Sequence, residues 1–249
     1  RLICPVRPGF GESDVDEVCR DDPSQAPTRF ARDAMDLLDH LGESRVVCVG
    51  YMSGAVYAFR LAQVYPGRIS GVFNISGAVP MRELSQILAM NTRQKIVAMT
   101  ARFAPGMLPS ILRAGIAQID AGGIDAFVDA LHPEESADRS VARRPENRDF
   151  LHEGFRQAVA QGHLGFAIDS HHVVRDWSKS CRLFGTPVQI IQGSEDPAVD
   201  AKSAAQFARQ FGFGYRELDG CGQLVMFADP DAVFDDLSSL VDSVMPANS

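Results

Sequence analysis

Short, continuous apolar runs that alternate with longer helical stripes restrict this chain to a mostly parallel, doubly wound sheet with helices on both faces. The runs that read as strands are Leu2–Val6, Arg45–Gly50, Ile69–Ile75, Pro187–Gln192 and Tyr215–Leu218. Between them, apolar residues recur at helical spacing over Thr28–Leu41, where Phe30, Ala34, Leu37, Leu38 and Leu41 form a stripe that stops at Gly42. Ser53–Val64, Ala201–Phe211 and Ala232–Val244 also read as helices. Arg45–Gly50 has the unbroken apolar character of a fully buried strand.

After Pro80 the alternation stops. From about Arg82 to Arg182 the pattern is helical, as in Leu84–Met90, Ile96–Phe103, Leu108–Ile119 and Phe150–Gln161. Such a block inside an alternating pattern predicts an inserted helical cap. The expected organisation is a core in two parts, 1–81 and 183–249, with a cap over 82–182. The chain enters an apolar strand directly at Arg1, so the strands that begin such a sheet are expected upstream.

Composition narrows the function classes. With 249 residues, 45% of them hydrophobic, the chain can bury one sizeable core. No stretch approaches the roughly 18 to 20 apolar residues of a spanning helix, and no signal peptide is evident, so a cytoplasmic protein with no membrane partner is expected. A net charge of −8 argues against a nucleic-acid partner within this segment, because phosphate binding needs clustered Lys and Arg. The five cysteines, Cys4, Cys19, Cys48, Cys181 and Cys221, lack metal-ligand spacing and read as reduced thiols.

Three loops fall where parallel strands end, the place at which open α/β sheets put their sites. The first reads Gly50-Tyr51-Met52-Ser53-Gly54-Ala55, the second Gln192-Gly193-Ser194-Glu195-Asp196-Pro197, and the third Leu218-Asp219-Gly220-Cys221-Gly222-Gln223. In this order the loops resemble those of the α/β-hydrolase family. The first is similar to its nucleophile elbow, G-x-S-x-G, in which small residues two places either side of the nucleophile let strand and helix approach around a strained turn. Gly50 and Gly54 fit that frame about Met52, not about Ser53. The turn Arg7-Pro8-Gly9-Phe10-Gly11-Glu12-Ser13, with Val6 where an aspartate is common, and the segment Gln161-Gly162-His163-Leu164-Gly165, with Asp169 and Trp177 beyond it, resemble capped members of the family.

The resemblance implies an α/β-hydrolase fold in which Met52 stands at the nucleophile position, Asp196 at the acid position and Gln223 at the histidine position. A thioether has no proton to lose, and an amide cannot act as a base near neutral pH. Losing a triad serine or histidine alone costs on the order of a million-fold in rate. The family's oxyanion-hole loop would lie upstream of the first strand.

These substitutions predict a catalytically degenerate protein, or pseudoenzyme, that binds a small apolar molecule as a sensor, carrier or regulatory domain, with Tyr51, Met52, Gln223 and Leu224 as ligand contacts. No metal or cofactor is expected. An active hydrolase of ester, amide or carbon–carbon bonds, using Ser53 or Cys221, is the alternative. A ligand-sensing module of a larger transcriptional regulator is a third reading. Within the site, the Gln223 amide could donate to Asp196 in place of an imidazole, while Asp196 could equally be a turn or helix-capping carboxylate. His163, His171 and His172 read as surface or lid residues, since neighbours on a helix do not share a face. Cys221 reads as an inert thiol or a displaced nucleophile. Met99, Phe103, Met107 and Leu108 are expected as core contacts, some of them lining a pocket.

Overall fold

The computed structural model describes residues 1–132, 134–183 and 185–245. Four parallel strands, β1 (Val46–Tyr51), β2 (Ile69–Ile75), β3 (Val188–Gly193) and β4 (Gly214–Leu218), lie in the spatial order of their numbers. The register sets Tyr51 beside Ile75, Ile75 beside Ile191 and Gly193 beside Leu218. All four strands therefore end at one level, and their following loops emerge along one edge of the sheet.

The sheet is buried from both sides. Helices α1 (Glu17–Asp21), α2 (Ala26–His40) and α3 (Gly54–Val64) precede β2. On one face α2 and α3 pack with Val72 and Ile190. The opposite face carries Phe73, Ile75 and Ile191. The alternation of Val72 with Phe73, and of Ile190 with Ile191, is the period of two that a strand covered on both faces requires.

Between β2 and β3 the described chain is helical: α4 (Leu84–Leu88), α5 (Thr92–Phe103), α6 (Leu108–Leu131), α7 (Ala137–Ala142), α8 (Pro145–Ala158) and α9 (Leu164–Val173). The helix α6 is broken at Gly123, whose backbone is non-helical at φ 65°. After β3 come α10 (Ala201–Phe211), α11 (Val225–Ala228) and α12 (Pro230–Val244). The helix α10 packs Ala204, Phe207 and Ala208 with the α2–α3 layer, while α12 places Val233 and Leu240 on the other face. Capping fixes the limits of both: Asp200 accepts from Ser203 N at 3.0 Å, Gly212 closes α10 in the left-handed region, and Asp229 accepts from Ala232 N at 3.1 Å.

Three expectations need correction. Leu2–Val6 is not a strand; Leu2 and Val6 are exposed, and no described strand pairs with the segment. Its apolar residues satisfy the strand pattern, but a strand also needs a neighbour for its backbone groups. For the same reason β1 is not fully buried: among the described residues it pairs only with β2, and Val49 is 41% exposed. The helices α7 and α9 carry no stripe to reveal them, α7 being short and α9 apolar around much of its circumference.

Candidate functional site

The turn after β1 is held at atomic closeness. A Cβ on Gly50 would lie 2.7 Å from the Cα of Ala55, so only glycine lets strand and helix approach here. Gly54 is different: a Cβ there would meet nothing closer than Arg7 Nη1 at 3.9 Å. The steric demand is thus one-sided. Met52, at the tip, has φ 50°, a left-handed conformation costing a non-glycine residue on the order of 1–3 kcal/mol. Its carbonyl accepts from Ala55 N at 3.3 Å and Ala78 N at 2.9 Å, and its N–H donates to Ile75 O at 3.3 Å. The Met52 side chain packs against the apolar cluster of Ile119, Phe127, Val128 and Leu224. The tip of the turn is covered by the helical insertion.

Ser53 points elsewhere. Its hydroxyl donates to Asp169 Oδ2 at 2.6 Å, Tyr57 donates to Asp169 Oδ1 at 2.8 Å, and Arg7 Nη2 forms a salt bridge with Asp169 Oδ2. The Arg7 guanidinium also lies 4.4 Å from the Tyr57 ring centroid. Burial, and then the charge of Asp169, push the Tyr57 phenol well above its ordinary value. Asp169 sits on α9, so this buried carboxylate joins the insertion to the elbow and to the Arg7 turn.

Asp196 is buried after β3. Its Oδ1 accepts from Ala198 N at 2.8 Å and Val199 N at 3.1 Å, and its Oδ2 accepts from Gln192 Nε2 at 2.8 Å. Burial outweighs these bonds and raises the carboxyl to about 6. The amide that serves Asp196 is therefore that of Gln192, not Gln223. No described residue hydrogen-bonds the Gln223 side chain. Two-way bonding at the N–H groups of Ala198 and Val199 also makes the turn-capping role of Asp196 real.

Gln223 is held by its backbone. Its N–H donates to Asp138 Oδ2 and that of Leu224 to Asp138 Oδ1, both at 2.8 Å, while its carbonyl accepts from Tyr51 Oη at 3.2 Å. Asp138, on α7 of the insertion, is 1% exposed. A Cβ on Gly222 would lie 2.4 Å from its Oδ1, so glycine is what admits the carboxylate. Asp138 and Asp196, after burial, raise the Tyr51 phenol. The loops are further tied by Ser194 N to Leu218 O at 3.0 Å and Glu195 N to Cys221 O at 2.9 Å.

The structure thus brings Tyr51, Met52, Gln223 and Leu224 together, with Asp196 within electrostatic reach of Tyr51. Cys221 is half-buried, and burial followed by Asp229 and Asp138 pushes its thiol up, which suppresses the nucleophilic thiolate. Among the histidines, His172 departs from the surface reading: it is buried, and its Nε2 lies 2.7 Å from Pro23 O. Burial lowers His163 and His172, and brings His171 down to about 4. No group of three or more metal-ligating side chains occurs among the described residues.

A cavity of about 620 Å³ lies beside this cluster, bounded by the start of α5, the end of α6, α9 and Ala198 of the acid loop. Val97, Ala98, Leu131, Phe166, Val173 and Val174 give it apolar walls, Asn91 and Ser170 add polar groups, and Arg93, Asp129 and Glu135 bring charge to its lining. Tyr51, Met52, Gln223 and Leu224 do not line it. Of the expected pocket residues, Met99 and Leu108 pack inward, but Phe103 and Met107 are exposed. Asp138 and Gln192, which organise the site, were not singled out in the sequence; Asp138 belongs to a polar stretch with no motif, and Gln192 reads as the end of a strand.

Comparison with known proteins agrees with this architecture. No protein of curated function matches the chain. Among solved structures, a carboxylesterase study of the thaumarchaeon Nitrososphaera gargenis provides a chain with 16% identity and a TM-score of 0.64, covering 95% of this chain and 78% of its own. A meta-cleavage product hydrolase from Pseudomonas fluorescens IP01 has 15% identity and a TM-score of 0.63, with 96% and 79% covered. A bromoperoxidase from Bacillus anthracis has 18% identity and a TM-score of 0.66, with 94% and 78% covered. At these identities the likeness is one of fold. The model of the alpha/beta hydrolase family matches residues 1–236, and the chain belongs to that family.

Proposed function

We propose that this protein is a catalytically degenerate α/β hydrolase whose helical insertion serves as a cap over 82–182 and which holds a small, largely apolar molecule in the cavity between that cap and the acid loop. The observation that carries this reading is Met52: the elbow tip bears a thioether packed under the cap, where the reaction needs a nucleophile. Gln223 adds no base, and the cavity has moved off the elbow. A sensing, carrying or regulatory role suits a site that binds without turnover. A module of a larger transcriptional regulator would use the same cavity.

The Ser53–Asp169 hydrogen bond gives the active-hydrolase reading its one specific support. The ion pair with Arg7 on the same carboxylate oxygen opposes it, because that oxygen is already committed to a guanidinium. The test uses the full chain with p-nitrophenyl esters and, separately, the apolar dye Nile red. No ester turnover and saturable dye binding, weakened by the cavity-filling Ser170→Trp, are expected. Turnover lost in Met52→Ala or Gln223→Ala overturns the proposal; turnover lost only in Ser53→Ala or Cys221→Ser favours the alternative. Unchanged dye binding in Ser170→Trp removes the cavity as the ligand site.

A further inference from the structure

The outward side of the helical insertion combines exposed apolar side chains with cations that make no ion pair among the described residues. Residues 84–119 contain no aspartate or glutamate but four cations, Arg93, Lys95, Arg102 and Arg113. With +4 here and −8 overall, the remainder of the chain carries −12. Eleven ion pairs occur among the described residues, and none involves these four cations. Arg102 is occupied by the carbonyls of Val174 and Met81, and Arg93 donates to the carbonyl of Ala130. These bonds leave their charge uncompensated. Acids border the segment: Glu83 caps the start of α4, Asp120 follows its end, and Asp129, already paired with Arg139 and Arg143, lies with Glu135 at the cavity that Arg93 lines.

The same segment exposes Leu84, Leu88, Ile96, Phe103 and Met107, which is five of the thirteen large exposed hydrophobic residues among those described. Phe103 and Met107 are 61% and 63% exposed. At 100° per residue, Ile96 and Phe103 fall on one stripe of α5, with Arg93 and Lys95 to either side of it. The buried Ala98 and Ala101 hold the opposite side. Leu84 and Leu88, four apart on α4, likewise share a face. An apolar stripe flanked by cations and turned outward is the reverse of what a helix against a protein core presents to water.

We infer that this face, α4, α5 and the turn to Met107, docks onto an anionic lipid surface, with the apolar side chains entering the headgroup boundary and the cations meeting lipid phosphates. The occupant must be both apolar and negatively charged. A second copy presenting the same face would set the cations of α5 against the same cations. The −12 on the rest of the chain makes the contact an oriented one, since any other side is repelled. No described helix is long and apolar enough to cross a membrane, and surface docking needs none. It replaces the expectation of no membrane partner, which rested on spanning segments and signal peptides alone. The α5 helix also walls the cavity from within through Val97 and Ala98, so docking would set that cavity next to the lipid. The inference holds whether or not the elbow is catalytically competent.

Flotation of the full chain with vesicles tests it. Binding is expected to phosphatidylcholine vesicles containing phosphatidylglycerol, to fall with added salt, and to be absent with phosphatidylcholine alone. Lys95→Ser should weaken binding about fivefold, and the pair Ile96→Ser with Phe103→Ser roughly tenfold or more. Phe150→Ser, an equally exposed aromatic among acidic neighbours, should leave it unchanged. Circular dichroism and thermal unfolding establish that each variant is folded. Equal binding to neutral vesicles, no binding, or binding indifferent to the Ile96 and Phe103 changes would overturn the proposal. So would a dimer, detected by light scattering and lost in Phe103→Ser, from a chain that ignores vesicles.

Discussion

Replacing Asp196 with asparagine separates a catalytic inheritance from a structural one, because the two make opposite demands on the charge. The folded protein raises this carboxyl from 3.8 to about 6, chiefly through burial. At about 1.4 kcal/mol per pH unit, ionising it in the fold costs about 3 kcal/mol more than in the unfolded chain. The sign follows from proton binding. Between pH 3.8 and about 6 the folded state holds more protons than the unfolded one, so this residue's contribution to stability falls across that window as pH rises. Asp196→Asn keeps the oxygen that receives Ala198 N and Val199 N and removes the charge. Its new amide N–H₂ faces the Gln192 Nε2 donor, which can rotate to present Oε1, an atom that has no partner in the native protein. That rotation gives up the bond from Gln192 to Val199 O, at a cost of about 1 kcal/mol. The variant should therefore be about 2 kcal/mol more stable than the native chain at pH 7, with the advantage gone near pH 4. Urea unfolding of both proteins across that range measures the difference. A difference that stays constant with pH, or a variant less stable at pH 7, would refute the reasoning and show a carboxylate comfortable in its ionised form.

Other substitutions probe the frame around it. Asp138→Ala leaves the N–H groups of Gln223 and Leu224 without their acceptor, and should cost roughly 2–4 kcal/mol in chemical denaturation; a loss below 1 kcal/mol would show that water replaces the carboxylate. The two glycines of the elbow should respond with opposite signs. Gly50→Ala drives a Cβ into Ala55 backbone at 2.7 Å and should destabilise by about 3 kcal/mol. Gly54→Ala finds space at the start of α3 and should be neutral or stabilise by up to about 1 kcal/mol, read as a shift of the unfolding midpoint.

Much of this architecture was legible because it obeys local rules. The stretch Ile69–Ile75 is mostly apolar and forms a strand buried throughout with partners on both sides; Ala201–Phe211 has a stripe, an aspartate cap and a glycine stop, and begins and ends where those residues place it. Arg45–Gly50 shows the limit of such reading. Its residues announce a buried strand, but burial depends on a neighbour elsewhere, and here one side of β1 has none among the described residues. The site divides in the same way. Met52, Asp196 and Gln223 could be located because each stands at a fixed offset from a glycine at a strand end. Asp138 could not, since it reaches the Gln223 loop from 85 residues away, and only the missing Cβ of Gly222 records its arrival.

Chain distance also explains why Asp196 takes its amide donor from Gln192 and not from Gln223. The resemblance puts Gln223 at the histidine position, whereas Gln192 is four residues before Asp196 and appears in sequence as the last residue of an apolar run. A buried carboxylate takes whichever donor the backbone already brings within reach: here the loop after β3 supplies two N–H groups and β3 itself the Gln192 amide. The acid loop can therefore keep its shape through local bonds alone. That independence lets Asp196 hold its place through bonds of its own loop and strand, and it leaves the charge a cost to stability.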